Sequence, residues 1–135
     1  MSAAEDLSSL LVAEDLGTLG TDIFIDDLPD GPDVTDNCIA LFNRMAYPSN
    51  SRVAIDKLAV QILVRDVSHS QGEEKIKSAK VVLQSIGNTT INDDEYIGVW
   101  VNNDYFCAGK DDSNRWIWSL NLITMVEPNE KGNRL

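Results

Sequence analysis

Leu58, Val60, Ile62 and Val64 occupy every second position of the run 57–66, and Gln61 and Arg65 stand among the residues between them. A period of two puts the four apolar side chains on one face of a strand and Gln61 and Arg65 on the other. Such a strand must bury its apolar face under a second layer, so the chain has to build a sheet with at least one covered side. The cover is visible downstream. Ile76, Ala79, Leu83 and Ile86 recur at helical spacing, while Glu73 and Lys77 form an i,i+4 pair on the wet face. Ser70 and Glu73 fit a capping box at the start of this helix, and Gly87-Asn88 fits its stop.

The remaining segments fall around that pair. Ser2 and Glu5 fit a capping box opening a first helix, with Leu7, Leu10 and Leu11 on a narrow stripe and Gly17 as the stop. Residues 21–25 read as a short strand, and 27–33 as a turn stiffened by Pro29 and Pro32. Residues 37–43 are apolar on both faces, as befits an interior strand. Residues 44–56 read as a connecting loop, and Asn88-Thr89-Thr90 as a turn leading out of the main helix. Two more strands fit 96–101 and 116–126, joined by a long polar link at 102–115 that should project into water. The order αβββαββ predicts an α+β fold with one mainly antiparallel five-stranded sheet and helices on one face. A chain of 135 residues is about one domain, here 1–127, followed by a polar tail at 128–135.

Charge narrows the function. Residues 1–36 hold ten acids and no Lys or Arg, so they carry nearly all of the net charge of −11. That block repels a phosphate backbone, which needs basic side chains to displace its counterions. Cys38 and Cys107 are far apart and read as reduced thiols, and the N-terminus has neither a basic segment nor an apolar run of a secretory signal. No apolar stretch approaches a membrane span, so the expectation is a soluble protein that stays in the cytoplasm in which it is made. His69 has no metal-ligand spacing to either cysteine. Asp27, Asp30, Asp33 and Asp36 miss the alternating register of a calcium loop. Neither Gly-x-Ser-x-Gly nor a phosphate-cradling Gly-x-x-x-x-Gly-Lys occurs. No catalytic residue, metal or cofactor is therefore expected.

Surfaces are what remain. The acidic loop offers Asp26, Asp27, Asp30, Asp33 and Asp36, and the face opposite the Leu58 stripe offers Gln61 and Arg65. The polar link offers Lys110, Asp111, Asp112, Asn114 and Arg115. Trp116 and Trp118, on alternate positions, either lie under a helix or belong to a sheet side that another subunit protects.

Several short stretches, in order, carry a resemblance. They are Leu16-Gly17-Thr18-Leu19-Gly20-Thr21-Asp22-Ile23-Phe24-Ile25, Leu28-Pro29-Asp30, Pro32-Asp33 and Asp36-Asn37-Cys38-Ile39-Ala40-Leu41. Further on come Val60-Gln61-Ile62-Leu63-Val64-Arg65, Asn88-Thr89-Thr90-Ile91, Asp111-Asp112-Ser113-Asn114-Arg115-Trp116 and Ser119-Leu120-Asn121. Together they resemble the minor capsid proteins of long-tailed bacteriophages that belong with the tail terminators. Val34-Thr35 departs from the family spacing between Pro-Asp and Asp-Asn-Cys.

The resemblance implies a virion protein at the head–tail junction, assembled in the host cytoplasm. Copies of it, usually six, close into a ring that caps the tail tube, halts its polymerisation and faces the head connector. Its partners would be itself, the major tail tube protein and a head-completion or stopper protein, with DNA only as passing cargo. In that setting the acidic loop belongs at the lumen or an axial face, Gln61 and Arg65 at a subunit or ring wall, and the 102–115 link at an axial contact. The alternative class is an acidic nucleic-acid mimic or inhibitor binding a basic partner, which predicts a monomer with acids spread over one surface.

Overall fold

A computed structural model describes residues 3–44 and 56–127. Among them the chain runs α1 (Ala3–Ala13), β1 (Ile23–Ile25), β2 (Cys38–Asn43), β3 (Asp56–Asp66), α2 (His69–Gln84), β4 (Gly87–Ile91), β5 (Asp94–Lys110) and β6 (Trp116–Glu127). The fold is α+β, but the sheet has six strands rather than five, in the order β1-β2-β3-β6-β5-β4. Only β1 and β2 run parallel; the other neighbours are antiparallel.

The strand at 57–66 lies at the centre, between β2 and β6. Its register aligns Ile39 with Val64 and Trp118, and Leu41 with Ile62 and Leu120, so each row crosses three strands on one face. Val60, Ile62 and Val64 are fully buried there, and Leu58 packs at the margin. Ile76, Ala79 and Leu83 from α2 join the core on this face, with Ile86 just past the helix end, and Ala3, Ala4, Leu7 and Leu11 join it from α1. Both helices are in contact with each other. Phe42, Leu63, Gln61, Asn121 and Ile123 point the opposite way, where no described helix covers the sheet.

The strand that the sequence reading lacks is β4. Asn92 and Asp93, at φ 49° and 70°, form a two-residue turn in the left-handed region, which matches the twist of a tight hairpin. Asn88-Thr89-Thr90 thus lies within a strand and is not a turn. The polar link at 102–115 is also corrected. β5 continues to Lys110, leaving only residues 111–115 as the turn. Four register shifts against β6 each insert an extra residue into β5, and every insertion flips the inward-outward phase. Alternation is erased, so Asn102-Asn103-Asp104 looks like loop in sequence. The bulges also bend the sheet, and α1 touches β1 and β2 as well as β4.

Two helix ends differ from expectation. α1 stops with Asp15 in the left-handed region at φ 59°, where Leu16 N–H donates to Leu11 O and Asp15 N–H to Val12 O, both at 3.0 Å. Gly17 is not the cap, and Ser2, the proposed opening cap, lies outside the described residues. α2 is capped by Ser68 rather than Ser70: Gln71 N–H donates to Ser68 Oγ at 3.3 Å, and Ser68 has extended backbone angles. Ser68→Ala should therefore lower stability by about 1 kcal/mol while Ser70→Ala stays within a few tenths, read as midpoints of urea unfolding. Equal losses would return the cap to Ser70.

Candidate functional site: the acidic loop and the hairpin tip

Two of the surfaces expected to act separately meet at one residue. Arg115 closes the β5–β6 turn and is 4% exposed. Its guanidinium donates to both carboxylate oxygens of Asp30 at 3.1 and 3.0 Å, and to Asp36 Oδ1 at 3.2 Å. Arg115 Nε also donates to Asp111 Oδ2 at 2.9 Å. Asp111 shapes the turn with its other oxygen, which accepts from Ser113 N–H at 3.0 Å and Arg115 N–H at 2.9 Å. Asn114 supplies the left-handed residue at φ 69°. The planar fork of arginine suits this work, since it can serve three carboxylates in fixed directions.

The Asp30 and Asp36 carboxylates remain largely in water, at 61% and 64% exposed. Arg115 bonding holds the Asp30 carboxyl below its usual range. At Asp111 desolvation pushes upward, but hydrogen bonds from Arg115 and Ser113 outweigh it and the carboxyl is lowered as well. Asp30 bonding in turn holds the Arg115 guanidinium protonated.

Lowered carboxyl values fix the sign of the pH response. The contact is intact above the ordinary carboxylate value of 3.8 and is lost as pH falls through the lower folded values. Amide exchange across residues 26–36 should stay slow at pH 5 and accelerate only in strong acid. Arg115→Gln should show the fast exchange already at pH 7, with a global loss of roughly 1–2 kcal/mol because the acids regain water. Unchanged exchange in that variant would remove Arg115 as the tie.

The other candidate residues divide sharply. Arg65 is 2% exposed, and its guanidinium donates to Thr35 O and Asp36 O at 3.0 Å each. It clamps the acidic loop from beneath, within its own subunit. Gln61 does lie on the uncovered face, where it accepts from the Arg44 guanidinium and donates to Ser119 Oγ at 3.1 Å. Asp26 accepts from Asn43 N–H at 2.8 Å, and Asn43 Oδ1 accepts from Ala4 N–H at 3.0 Å, so this acid ties the loop to the start of α1. Asp27 and Asp33 are exposed and make no hydrogen bond or ion pair among the described residues. At the tip, Asp112 and Asn114 are exposed, whereas Lys110 lies over the Trp116 ring at 4.6 Å.

Trp118 is buried beneath α2 against Gly72, and Trp116 sits at the margin with His69 at a ring distance of 4.8 Å. Trp100 and Phe106, each 48% exposed, are the most exposed Phe, Tyr or Trp side chains among the described residues. Both lie on β5 beyond Gly98, the last residue that β4 pairs, so that edge of β5 has no described strand beside it. Their position was hidden in the sequence by the bulges.

Cys38 is buried, Cys107 is half-buried, and both are free thiols. Among the described residues no group of three or more His, Cys, Asp or Glu side chains is arranged to hold a metal, and no helix is long and apolar enough to cross a membrane.

A family model described as bacteriophage tail terminator protein matches residues 10–128. Among solved structures, a chain of the virion of a native gene transfer agent particle matches with a TM-score of 0.68 at 12% identity, covering 93% of this chain and 95% of that one. At that identity the match concerns the fold. No curated protein matches the chain.

Proposed function

The chain belongs to the bacteriophage tail terminator family, which makes it a structural protein of the virion tail, and from that premise we propose that six copies close into a ring capping the tail tube. The ring halts polymerisation of the major tail tube protein and offers its other face to a head-completion or stopper protein of the connector. No chemistry is required for this; the work is done by complementary surfaces.

The observation that supports it best is the uncovered side of the sheet. A sheet face without a covering layer, next to a long unpaired edge bearing Trp100 and Phe106, is a surface that a soluble monomer normally protects. We assign this side, Gln61 included, to the contact between subunits. Asp27 and Asp33 are assigned to the lumen or an axial face. There the charge of every subunit adds, and repulsion lets DNA slide without the counterion release that would make it stick. Asp112 and Asn114 at the hairpin tip are assigned to an axial contact.

Electron microscopy of particles made without this protein tests the reading. Tails of uncontrolled length, or heads and tails that fail to join, are the expected result, and normal virions would refute it. The subunit contact is tested by Trp100→Asp with Phe106→Asp. Because both side chains are about half exposed, stability should change by no more than about 1 kcal/mol. The double variant should nevertheless fail to restore termination. Full restoration would remove these residues from the interface.

A further inference from the structure

The chain holds one Asp-Gly pair, Asp30-Gly31, and no Asn-Gly pair. The pair lies in the acidic loop, and Gly31 N–H donates to Asp30 Oδ1 at 2.8 Å, so the amide nitrogen faces the carboxyl group one residue before it. Gly31 has φ 142°, and a Cβ there would meet nothing within 4 Å, so neither a side chain nor packing shields that nitrogen. The other loop acids lack this arrangement. Asp27 precedes Leu28, Asp33 precedes Val34 and Asp36 precedes Asn37, whose side chains crowd the amide that follows the acid.

A carboxyl beside an unhindered amide can close on it. The Gly31 nitrogen gives up its proton and bonds to Asp30 Cγ, the Cγ–OH bond breaks, and one water leaves a five-membered succinimide. Water then adds to a ring carbonyl. Opening at the former main-chain carbonyl leaves Gly31 joined through Cγ, which is isoaspartate. One water is lost and one regained, so mass and oxidation state are unchanged. Ring closure needs the carboxyl protonated, because an ionised carboxylate has no hydroxyl to lose.

Arg115 opposes both requirements. Its guanidinium bonds to both Asp30 oxygens, at 3.1 and 3.0 Å, which favours the ionised form and fixes the carboxylate plane. The Asp30 carboxyl is lowered accordingly, first by Arg115 and then by Gly31 N–H. Beyond the pair the chain is held by bonds that do not involve Arg115: Val34 N–H donates to Gly31 O at 3.2 Å, and Arg65 donates to the carbonyls of Thr35 and Asp36.

We propose that Asp30-Gly31 is an isomerisation site that Arg115 keeps shut, and that opening this tie exposes Asp30 to conversion into isoaspartate. In isoaspartate the free carboxylate sits directly on Cα and the main chain is longer by one atom. The two-oxygen contact with Arg115 is then out of register, so the conversion detaches the acidic loop from the hairpin tip for good. The site does not depend on ring formation.

Storage of the full chain at pH 6 and 37 °C tests the proposal. Isoaspartate at residue 30 is read by electron-transfer fragmentation and by the failure of endoproteinase Asp-N to cut before it. The folded wild type should isomerise there at least about tenfold more slowly than the same chain in guanidinium chloride, since each unit by which a carboxyl is lowered cuts its protonated fraction about tenfold and the fork also blocks closure. Arg115→Gln should recover most of the denatured rate, and Arg115→Lys, which keeps the charge and loses the fork, should fall between. A wild type as fast folded as denatured would overturn the proposal, as would Arg115→Gln at the wild-type rate. If Arg115→Gln does not fold, Arg115→Lys decides, and a rate equal to the wild type again overturns it.

Discussion

An Arg65→Ala chain should lose about 3–4 kcal/mol of stability, the largest loss expected from any one polar side chain here. Arg65 is fully enclosed between the central strand and the acidic loop, and its donors hold the carbonyls of Thr35 and Asp36. Removing them leaves two partly buried carbonyls without partners, each costing on the order of 1–3 kcal/mol less whatever water recovers. The void left by the side chain adds to this. Arg65→Met separates the two contributions: it restores most of the volume and none of the donors, so it should recover only part of the loss. Urea unfolding gives both values, and amide exchange in 26–36 shows where the damage lies. If Arg65→Met matched the wild type in both measurements, the clamp would have no energetic role.

Gly72 carries the second large effect, with a sign opposite to helix propensity. Alanine in place of glycine inside an exposed helix stabilises by roughly 0.5–1 kcal/mol. Here a Cβ on residue 72 would lie 2.9 Å from Trp118 Cδ1 and Nε1, and 3.2 Å from Asp66 Cβ. The indole cannot retreat cheaply, since it is buried and His69 and Tyr105 pack around it. Gly72→Ala should thus destabilise by about 1–2 kcal/mol and Gly72→Val by about 3 kcal/mol or more, because α2 must lift from β6. Tryptophan fluorescence should shift with the loss. A stabilised Gly72→Ala variant would mean that the helix and sheet have slack at this point.

Where sequence reading succeeded, the signal was local and repeated. The Leu58 stripe and the Ile76 stripe each hold one period over several turns or pleats, so the central strand, the main helix and their mutual burial were legible. Where it failed, a short-range pattern was interrupted. The bulges of β5 reset the alternation four times, which made a 17-residue strand look like a short strand and a loop. β4 is five residues long and mostly exposed, with little apolar signal beyond Ile91, though Asn92-Asp93 is a recognisable hairpin turn.

The acidic loop shows the same division at the level of single residues. Its charge and its prolines were visible, and its ten-acid context excluded a nucleic-acid grip. Its partners were not visible. Arg115 reaches Asp30 and Asp36 across 85 and 79 residues of sequence, and Arg65 reaches the loop carbonyls across about 30. Pairing at such distances is created by strand register, which brings the end of β3 and the start of β6 under the loop together. Three of the five loop acids prove to be internal ties, while Asp27 and Asp33 are exposed.

By itself, then, the amino-acid order determined an α+β domain with a central alternating strand, a covering helix, an acidic first quarter and the family to which it belongs. Periodicity and family motifs are properties of neighbouring residues, and they survive without coordinates. Only the tertiary structure decided that Arg65 clamps the acidic loop of its own chain, that Arg115 ties two distant segments, and that Trp100 and Phe106 face water. Those assignments depend on which side chains the sheet register brings within hydrogen-bond reach, and on which face the two helices leave bare.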